Sequence, residues 1–368
     1  MKELLISFSK KLKERRRALG LTQKELAERI AYSEKAVSKW ERGNALPPSC
    51  LLPELSRILE VTIDELMSVS DDIRYYLGID GGGTKTEFLL TDATGKQLRR
   101  VLLGASNPND VGLSRTEEIL DAGIREVTSG YNLHSISVFA GIAGARTSDN
   151  VERIEAYLSR FGFGRVGCDS DMETAVAAGL LGGDGIVVIL GTGSVINGRC
   201  GDERFRIGGY GYILGDPLSG FNLSRDAIYA SLRCEDGSAE KTVLLDLFYR
   251  EMKVDSLVDS ISVFYSGGKR EVAKYAPLVF EAARQGDKIA LEILNKNARE
   301  LSDMIRVAGK KFDTPTVKTV LFGSLAEKTP EILQLILENL SCDTINYEIS
   351  VCDRSSVRGA IYLAGLKQ

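Results

Sequence analysis

The feature that most constrains the fold is a pair of glycine-rich turns, each placed directly after an apolar strand and directly before another strand. The first runs from Asp80 through Gly-Gly-Gly-Thr-Lys to Thr86, after the apolar segment Tyr75–Ile79. The second is Gly191-Thr-Gly-Ser, after Ile186–Leu190. Glycine has no Cβ, so successive backbone N–H groups can point into one concavity and approach a phosphate. The pair therefore predicts two related subdomains that bind the phosphates of one nucleotide.

These turns differ from the common nucleotide-binding loops. The first turn lacks the Gly-Lys-Ser/Thr ending of a P-loop, and it leads into a strand, whereas a P-loop or a Rossmann turn opens a helix. Two simple glycine hairpins are the alternative interpretation. The acid at the end of the first strand and the threonines favour phosphate binding, with Asp80 placed to hold Mg²⁺ through water.

Strands and helices alternate after residue 74. The pattern predicts strands at Glu87–Leu90, Leu98–Leu103 and Ile136–Phe139 and helices at Ser114–Ser129, Asn150–Phe161 and Met172–Leu181. Such alternation is typical of a layered α/β domain in which helices cover a sheet. The body of the chain is therefore predicted to be α/β.

The first 67 residues predict five short helices instead. Phe8, Leu12 and Leu19 share one face of a first helix that ends at Gly20. The later helix starts are marked by capping residues or proline: Thr22-Gln-Lys-Glu, Ser33, Pro47-Pro48 and Thr62-Ile-Asp-Glu. Two short helices joined by a tight turn are the geometry that lays the second of them in a DNA major groove.

The third helix carries the groups that DNA binding requires. Its predicted outward residues are Glu34, Lys35, Ser38, Lys39 and Arg42. They supply hydrogen-bonding groups for base edges and cations for phosphates. The charge balance agrees, because residues 1–70 hold 13 Lys and Arg against 10 Asp and Glu, whereas the remainder holds 34 against 41. A helical bundle that binds another protein is the alternative.

Residues 5–67 resemble the Cro/C1-type helix-turn-helix family. The resemblance rests on Leu21-Thr-Gln-Lys-Glu-Leu-Ala and on Val37-Ser-Lys-Trp-Glu-Arg-Gly. It implies that Gln23 contacts a phosphate and that Ser38 and Lys39 face the bases, with Lys35 and Arg42 beside them. Because such domains work in pairs, it also implies a homodimer on a palindromic operator in double-stranded DNA.

Residues 75–368 resemble the N-acetylglucosamine kinase and BadF/BadG ATPase family of the actin, sugar kinase and Hsp70 superfamily. The matching segments are Asp80-Gly-Gly-Gly-Thr-Lys-Thr, Ser106-Asn-Pro-Asn, Gly141-Ile-Ala-Gly-Ala, Asp171 with Ala175 and Ala178, Gly191-Thr-Gly-Ser, Gly208-Gly-Tyr-Gly-Tyr-Ile-Leu-Gly-Asp, Gln285-Gly-Asp-Lys-Ile-Ala and Val320-Leu-Phe-Gly-Ser. The resemblance implies an all-α five-helix domain (1–67), a linker (68–74) and an α/β actin-like ATPase domain. The ATPase domain would have subdomains at 75–195 and 196–368 around a central cleft, with a C-terminal helix that can return to the first.

The same resemblance implies the chemistry, which is transfer of the γ-phosphoryl group of ATP to a hydroxyl of an amino sugar such as N-acetylglucosamine or N-acetylmuramate. Asp80 would organise Mg²⁺. The implied ATP-binding residues are Gly82, Gly83, Thr84, Lys85, Gly191, Thr192, Gly193, Ser194, Gly323 and Ser324. The implied sugar-binding residues are Asn107, Asp171, Gly208, Gly209 and Asp216.

This chain departs from the family at three places: the catalytic base, Pro217-Leu218 where the family usually has Glu-Gly after the aspartate, and Gly323-Ser324 in place of a Gly-Gly pair. The first is the catalytic base. The kinases have an aspartate directly after a glycine pair, and that place falls on Arg146 or Thr147 here. Asp149 and Asp171 are the two acids near enough to serve instead. Three functions stay open: a sugar kinase that regulates transcription, a sugar sensor that has lost the chemistry, and an ATPase that drives a partner protein.

Cysteine and histidine usage argues against other classes of site. The six cysteines are scattered without a Cys-x-x-Cys pair, and His134 is the single histidine. This pattern disfavours a zinc site, a disulfide framework and a Ser-His or Cys-His catalytic pair, and it predicts a reducing cytoplasm. The N-terminus does not have the pattern of a signal peptide, and no run of eighteen apolar residues appears.

Overall fold

The computed structural model describes residues 2–67 and 73–366 of the 368-residue chain. Most of the segment predicted as a linker, residues 68–72 of 68–74, lies outside the described residues. The chain forms two compact units that divide between Ser170 and Asp171, with Leu363–Leu366 joined to the first unit. No helix among residues 2–67 and 73–366 is long and apolar enough to cross a membrane.

Five α-helices form the N-terminal domain, as predicted. They are α1 Lys2–Ala18, α2 Gln23–Arg29, α3 Glu34–Glu41, α4 Leu52–Leu59 and α5 Ile63–Met67. The Thr22 hydroxyl accepts from the N–H of Glu25 at 3.1 Å, and the Glu25 carboxylate accepts from the N–H of Thr22 at 2.7 Å. Ser33 caps α3 by accepting from the N–H of Ala36. The first cap fixes the start of α2 and the second fixes the turn between α2 and α3, and both agree with the predicted helix-turn-helix.

Leu19 does not share the buried face of α1, so that prediction is wrong. Helix α1 ends at Ala18, and Leu19 is 39% exposed, whereas Phe8 and Leu12 are fully buried. Gly20 adopts a φ of 68° and turns the chain toward α2. The helical periodicity of the sequence continues past the residue at which the helix ends.

A buried ion pair joins α1 to α3. Arg16 Nε lies 2.5 Å from Glu41 Oε1, and the two side chains are 9% and 2% exposed. The side-chain amide of Gln23, at the start of α2, donates to the same carboxylate at 2.7 Å. Burial alone would raise the pKa of Glu41, but the hydrogen bonds from Arg16 and Gln23 outweigh it and the pKa is lowered. The ionised carboxylate therefore connects three helices.

We expect Glu41→Gln to lower the free energy of unfolding of this domain by about 3 kcal/mol, because Arg16 would keep a buried charge without its partner. Trp40 is the single tryptophan and is 4% exposed in this core, so its fluorescence reports unfolding of this domain within the full chain. Since folding lowers the pKa of Glu41, the contribution of its ionised carboxylate to the free energy of unfolding is complete above about pH 4.3. It is lost as the pH falls through the lowered value.

The control for this experiment is Arg57→Ala, which removes an exposed ion pair with Glu54. Exposed pairs contribute little to stability, so the tryptophan transition should not move measurably. An equal loss of stability in both variants would contradict the role of the buried pair.

The first sheet has the strand order β3-β2-β1-β4-β5. Its strands are β1 Tyr75–Gly81, β2 Thr86–Asp92, β3 Gln97–Leu103, β4 Ile136–Ile142 and β5 Arg165–Asp169, and the helices near it in sequence are α6 Pro108–Val111, α7 Leu113–Thr128 and α8 Asn150–Ser159. β1 pairs antiparallel with β2 and parallel with β4, and β5 pairs parallel with β4. Apolar residues of these strands and of α7 and α8 form one core, which includes Leu77, Ile79, Leu120 and Leu158.

The second sheet has the order β8-β7-β6-β9-β10. Its strands are β6 Gly185–Leu190, β7 Ser194–Cys200, β8 Glu203–Gly208, β9 Thr316–Phe322 and β10 Asn346–Val351. The helices of this unit are α9 Asp171–Leu180, α10 Gly220–Glu235, α11 Val243–Met252, α12 Ile261–Ser266, α13 Gly268–Ala273, α14 Ala276–Arg284, α15 Lys288–Gly309, α16 Ser324–Lys328, α17 Glu331–Leu340 and α18 Ser356–Leu363. The largest core lies here, between this sheet and helices that include α10, α14 and α15.

The two sheets share one topology. In each, three antiparallel strands follow in chain order, and two further strands run parallel to the first of them. A glycine turn joins the first two strands of each sheet, as the sequence predicted. Our proposed subdomain boundary between residues 195 and 196 falls inside β7, because the sequence pattern marks the turn and not the change of sheet.

Candidate functional site

Four loops of the first unit meet at one edge of its sheet. Strands β3, β1, β4 and β5 run in the same direction, so the loops that follow them lie at the same, carboxyl-terminal edge. Ligands of open α/β sheets bind at such an edge. The four loops carry Ser106, the glycine turn, Gly144 and Asp169, respectively.

The glycine turn after β1 is fixed against the loop after β3. The N–H of Gly82 donates to the carbonyl of Lys85 at 2.9 Å, and the N–H of Ser106 donates to the carbonyl of Gly82 at 3.0 Å. A Cβ on Gly81 would collide with Ser106 Oγ and would lie 2.5 Å from Ile142 Cδ1. A side chain at position 81 would therefore force Ser106 and Ile142 to shift where the two loops touch.

The predicted phosphate and metal residues of this unit lie together on that turn. Gly82 and Gly83 are half-buried, and Thr84 and Lys85 are exposed. Asp80 is half-buried near the end of β1, where backbone pairing to β2 and β4 fixes its position. The exposed backbone of such a turn can bind a phosphate, and the neighbouring carboxylate can at the same time bind the water shell of a cation.

Amide and hydroxyl side chains join the loops after β3 and β4. Asn107 accepts from the N–H of Asn109 at 3.0 Å and donates to Asp110 at 2.8 Å, and Asn109 donates to Thr147 Oγ1 at 2.9 Å. Gly144, with a φ of 78°, approaches so closely that a Cβ there would collide with Asn107 Oδ1. The predicted sugar residue Asn107 thus lies within a cluster of groups that can hydrogen-bond hydroxyls.

Arg146, one of the two residues that our alignment puts at the place of the family's base, forms a two-bonded ion pair with Asp169. The Nε–Oδ1 and Nη2–Oδ2 distances are 2.6 and 2.9 Å. Our sequence interpretation missed Asp169 because it missed β5, which is short and only partly buried. The apolar Val166 and Cys168, alternating with polar residues, are the signal that could have indicated this strand.

The two candidate bases differ sharply in environment. Asp149 precedes α8, its side chain is 69% exposed, and its nearest cation is Arg153 at 3.8 Å. Asp171 is the first residue of α9 and belongs to the second unit. Burial raises the pKa of Asp171, against the lowering effect of the backbone N–H of Met172. A carboxyl with a raised pKa is a stronger base than an ordinary aspartate, so Asp171 is the better suited of the two to accept a proton.

The second unit presents a matching edge. The loops after β6, β8 and β9 lie at the same edge because these three strands run in one direction. In the Gly191–Ser194 turn, the N–H of Gly191 donates to the carbonyl of Gly193 at 3.0 Å. Gly323, with a φ of 108°, passes so close that a Cβ would lie 2.5 Å from the carbonyl oxygen of Leu190, and Ser324 begins α16. The predicted ATP residues of this unit therefore lie on adjacent loops.

Asp216 is the most distinctive carboxyl of this edge. It is 6% exposed with a φ of 64°, and its Oδ1 has no hydrogen-bond partner within residues 2–67 and 73–366. A Cβ on Gly193 would lie 2.6 Å from Oδ2. Burial raises the pKa of Asp216, while the N–H of Gly211, the charge of Lys269 and the N–H of Ser194 lower it. A buried oxygen without a partner is suited to accept a hydrogen bond from a ligand.

The residues after Asp216, where the chain departs from the family pattern, form a packed corner. Leu218 is fully buried with a φ of 56°, and its N–H donates to Asn297 at 3.1 Å. Ser219 then caps α10 by accepting from the N–H of Asn222. The departure is thus accommodated by packing that fixes the backbone next to Asp216.

The other predicted sugar residues of this unit, Gly208 and Gly209, lie at the end of β8 with φ values of 72° and 68°. Arg206 donates to both of their carbonyls. The loop that follows exposes apolar side chains, with Ile213 75% and Leu214 79% exposed. These glycines therefore start an exposed loop that returns to the buried Asp216.

A family model described as the BadF/BadG/BcrA/BcrD ATPase family matches residues 77–361. The chain belongs to this family. A relative, the N-acetylmuramic acid/N-acetylglucosamine kinase of Clostridium acetobutylicum, is 34% identical over 256 residues, which are 68% of this chain and 84% of that protein. The solved structure of a candidate N-acetylglucosamine kinase from Chromobacterium violaceum matches with a TM-score of 0.62 at 23% identity, over 80% of this chain and 99% of that one. This likeness confirms the actin-like sugar kinase fold.

The N-terminal domain of this BadF-family protein has a comparison of its own. A helix-turn-helix family model matches residues 12–66. The HTH-type transcriptional activator BcrR of Enterococcus faecalis is 43% identical over 63 residues, which are 17% of this chain and 31% of that protein. The predicted resemblance of residues 5–67 to helix-turn-helix proteins is therefore confirmed.

On α3, the predicted DNA-facing cations Lys35, Lys39 and Arg42 are exposed, and Ser38 is half-buried. Gln23 differs from them, because its amide is bound to the buried carboxylate of Glu41. The exposed cations leave α3 with a surface that can contact bases and phosphates.

Proposed function

We propose that this protein is a DNA-binding transcriptional regulator whose ATPase-family domain binds Mg·ATP and an amino sugar of the N-acetylglucosamine or N-acetylmuramate class. In this proposal the domain transfers the γ-phosphoryl group to a sugar hydroxyl. The observation that carries it is the edge of the first sheet, where the glycine turn with Asp80 touches a cluster of sugar-compatible amides and hydroxyls. The kinase relative at 34% identity supports the same reaction.

The family implies Mg²⁺, and the groups of the first unit fit it. Asp80 offers a hard carboxylate oxygen beside the glycine turn, and Gly81 lies so close to Ser106 and Ile142 that a Cβ there would collide with both side chains. The ion, when bound, neutralises charge on the transferring phosphoryl group. Asp80 would hold it through water, and Gly82, Gly83, Thr84 and Lys85 would contact the phosphates.

Asp171 is our choice for the group that accepts the hydroxyl proton. The pKa of Asp171 is raised by burial, whereas the side chain of Asp149 is 69% exposed to solvent. In the first unit the Asn107 amide would hydrogen-bond a sugar hydroxyl, and in the second unit the unpaired Oδ1 of Asp216 would accept a hydrogen bond from one. Positioning and charge neutralisation would then supply most of the catalysis.

A sugar sensor without turnover is the second candidate, and one observation favours it. Our alignment puts Arg146 or Thr147 where the family has its base, and Arg146 is paired with Asp169, so neither of these two residues offers a carboxylate to accept the proton. Binding of sugar and nucleotide would still shift a conformational equilibrium, and that shift would change DNA affinity.

The deciding experiment is Mg·ATP turnover by the full chain, with ADP and sugar phosphate measured in parallel over a panel of free amino sugars. Sugar-dependent ADP release with matching sugar phosphate supports the kinase. A sugar-dependent rise in melting temperature without turnover supports the sensor. ADP release that no sugar changes would overturn both and favour an ATPase that acts on a partner.

The helix-turn-helix domain would act as a homodimer on a palindromic operator, since half-sites spaced by one helical turn match paired recognition helices. In this proposal Lys39 and Ser38 contact base edges, and Lys35, Arg42 and Gln23 contact the backbone. The exposed cations of α3 support it.

We expect Lys39→Ala to weaken binding to a duplex selected from a random library by about 5- to 100-fold, the cost of one good base contact. Fluorescence anisotropy over a salt series is the measurement. Arg57→Ala is the control, because Arg57 lies on α4 and is paired with Glu54. Unchanged affinity in the Lys39 variant would mean that α3 does not contact the bases.

A further inference from the structure

A groove in the second unit lies outside the residues assigned to ATP and sugar. It has a volume of about 460 Å³ and is formed by α10, α12, the start of α13 and Tyr212 of the loop after β8. Its walls are mainly apolar and aromatic, with Phe221, Ile228, Leu232, Ile261, Phe264 and Tyr265 among them. This size and this lining are typical of sites for small organic molecules.

The charged groups of the groove are both cations. Arg225 is paired with Asp226 at 2.6 Å, whereas Lys269 is exposed and forms no ion pair or hydrogen bond with residues of the described ranges 2–67 and 73–366. No carboxylate lines the groove. This is unexpected for a body in which acids outnumber bases by 41 to 34 after residue 70. The local charge therefore selects for an anion.

We propose that this groove binds a small organic anion with an apolar, ring-sized body, whose acidic group pairs with Lys269. Tyr265 is 88% exposed and Tyr229 is 64% exposed at its rim, so a bound ring would cover apolar surface that is now in water. The lysine charge then fixes the orientation of the bound molecule, as a single well-placed polar group does in mostly apolar sites.

The groove is also connected to the proposed active site through one wall. The Tyr212 ring lies 4.6 Å from the Phe221 ring, and the N–H of Phe221 donates to the carbonyl of Thr192 at 3.1 Å. A ligand here would contact the loop that leads to Asp216 and the helix bound to the Gly191–Ser194 turn. It would therefore change sugar or nucleotide affinity, a coupling that rests on the proposed function, whereas the binding itself does not.

The test uses two fluorescent probes of matched shape, the anion 8-anilinonaphthalene-1-sulfonate and the neutral N-phenyl-1-naphthylamine, titrated into the full chain. We expect one saturable site for the anion and affinity for the neutral probe at least about tenfold weaker. Lys269→Ala should weaken binding of the anion by about fivefold or more and leave the affinity for the neutral probe unchanged. Tyr265→Ala should weaken both.

The matched control is Val307→Ser, which alters an apolar residue 52% exposed elsewhere on the same unit. Non-saturating binding, or equal losses in the Val307 and Tyr265 variants, would overturn the site. Strictly competitive displacement by Mg·ATP, with the apparent affinity for the anion falling without limit as Mg·ATP rises, would show that the groove belongs to the nucleotide site, whereas a change that levels off is the coupling expected above. Probe affinity that falls as the chain self-associates would show that a second copy covers the groove. Either outcome also overturns the proposal. Kinase turnover is measured separately, so a failure of the proposed function would not change the interpretation of the probe titrations.

Discussion

The Asp80→Asn variant is expected to lose at least about a thousandfold in sugar phosphorylation, since metal-assisted charge stabilisation contributes several kcal/mol to such a reaction. The amide keeps the size of the side chain, and backbone pairing to β2 and β4 holds residue 80 in place, so the turn should stay folded. Calorimetric titration of ATP, with and without Mg²⁺, and coupled turnover are the measurements. The Mg²⁺-dependent part of the affinity should disappear whether the protein is a kinase, a sensor or an ATPase.

The control is Asp202→Asn, in the exposed turn between β7 and β8, which should change neither affinity nor turnover. Unchanged Mg·ATP affinity in the Asp80 variant would refute the metal assignment. An equal loss of ATP affinity without Mg²⁺ would mean that Asp80 supports the shape of the glycine turn and not the ion.

The sequence predicted those parts of the fold and site that depend on short segments. A glycine turn between two strands is visible because it is one short run of residues, Gly81-Gly-Gly-Thr, with an apolar strand on one side. The caps of α2 and α3 were predictable for the same reason, since Thr22 and Ser33 act on residues three positions away. The duplicated topology followed from two such turns, each with its flanking strands.

The features that were missed depend on partners distant in sequence. Arg146 and Asp169 are 23 positions apart, and Gln23 and Glu41 are 18 apart, so neither pair leaves a periodic or compositional signal. The unpaired Oδ1 of Asp216 belongs to a residue with a left-handed backbone, and the sequence does not show which non-glycine residues adopt that conformation. Long-range contacts of this kind are decided by packing, which a single sequence does not display.

Asp171→Asn is expected to lower kcat for sugar phosphorylation by about a hundred- to ten-thousandfold, the range for removal of a general base. Burial raises the pKa of Asp171 above the ordinary aspartate value, and a base must be deprotonated to act. The rate of the unaltered chain should therefore fall as the pH drops through that raised pKa, at a higher pH than an exposed aspartate would give. The pH profile of kcat/KM measures this limb, and the limb should vanish in the variant.

Asp149→Asn is the matched control, because it removes the other candidate acid from an exposed place beside Arg153. We expect its kcat to stay within about threefold of the unaltered chain, as for a surface residue. If instead Asp171→Asn raises KM and leaves kcat and the pH limb unchanged, Asp171 is a sugar contact and not the base. A large kcat loss in the Asp149 variant alone would require the loop between β4 and α8 to rearrange when sugar binds, and it would transfer the proton-accepting role to Asp149.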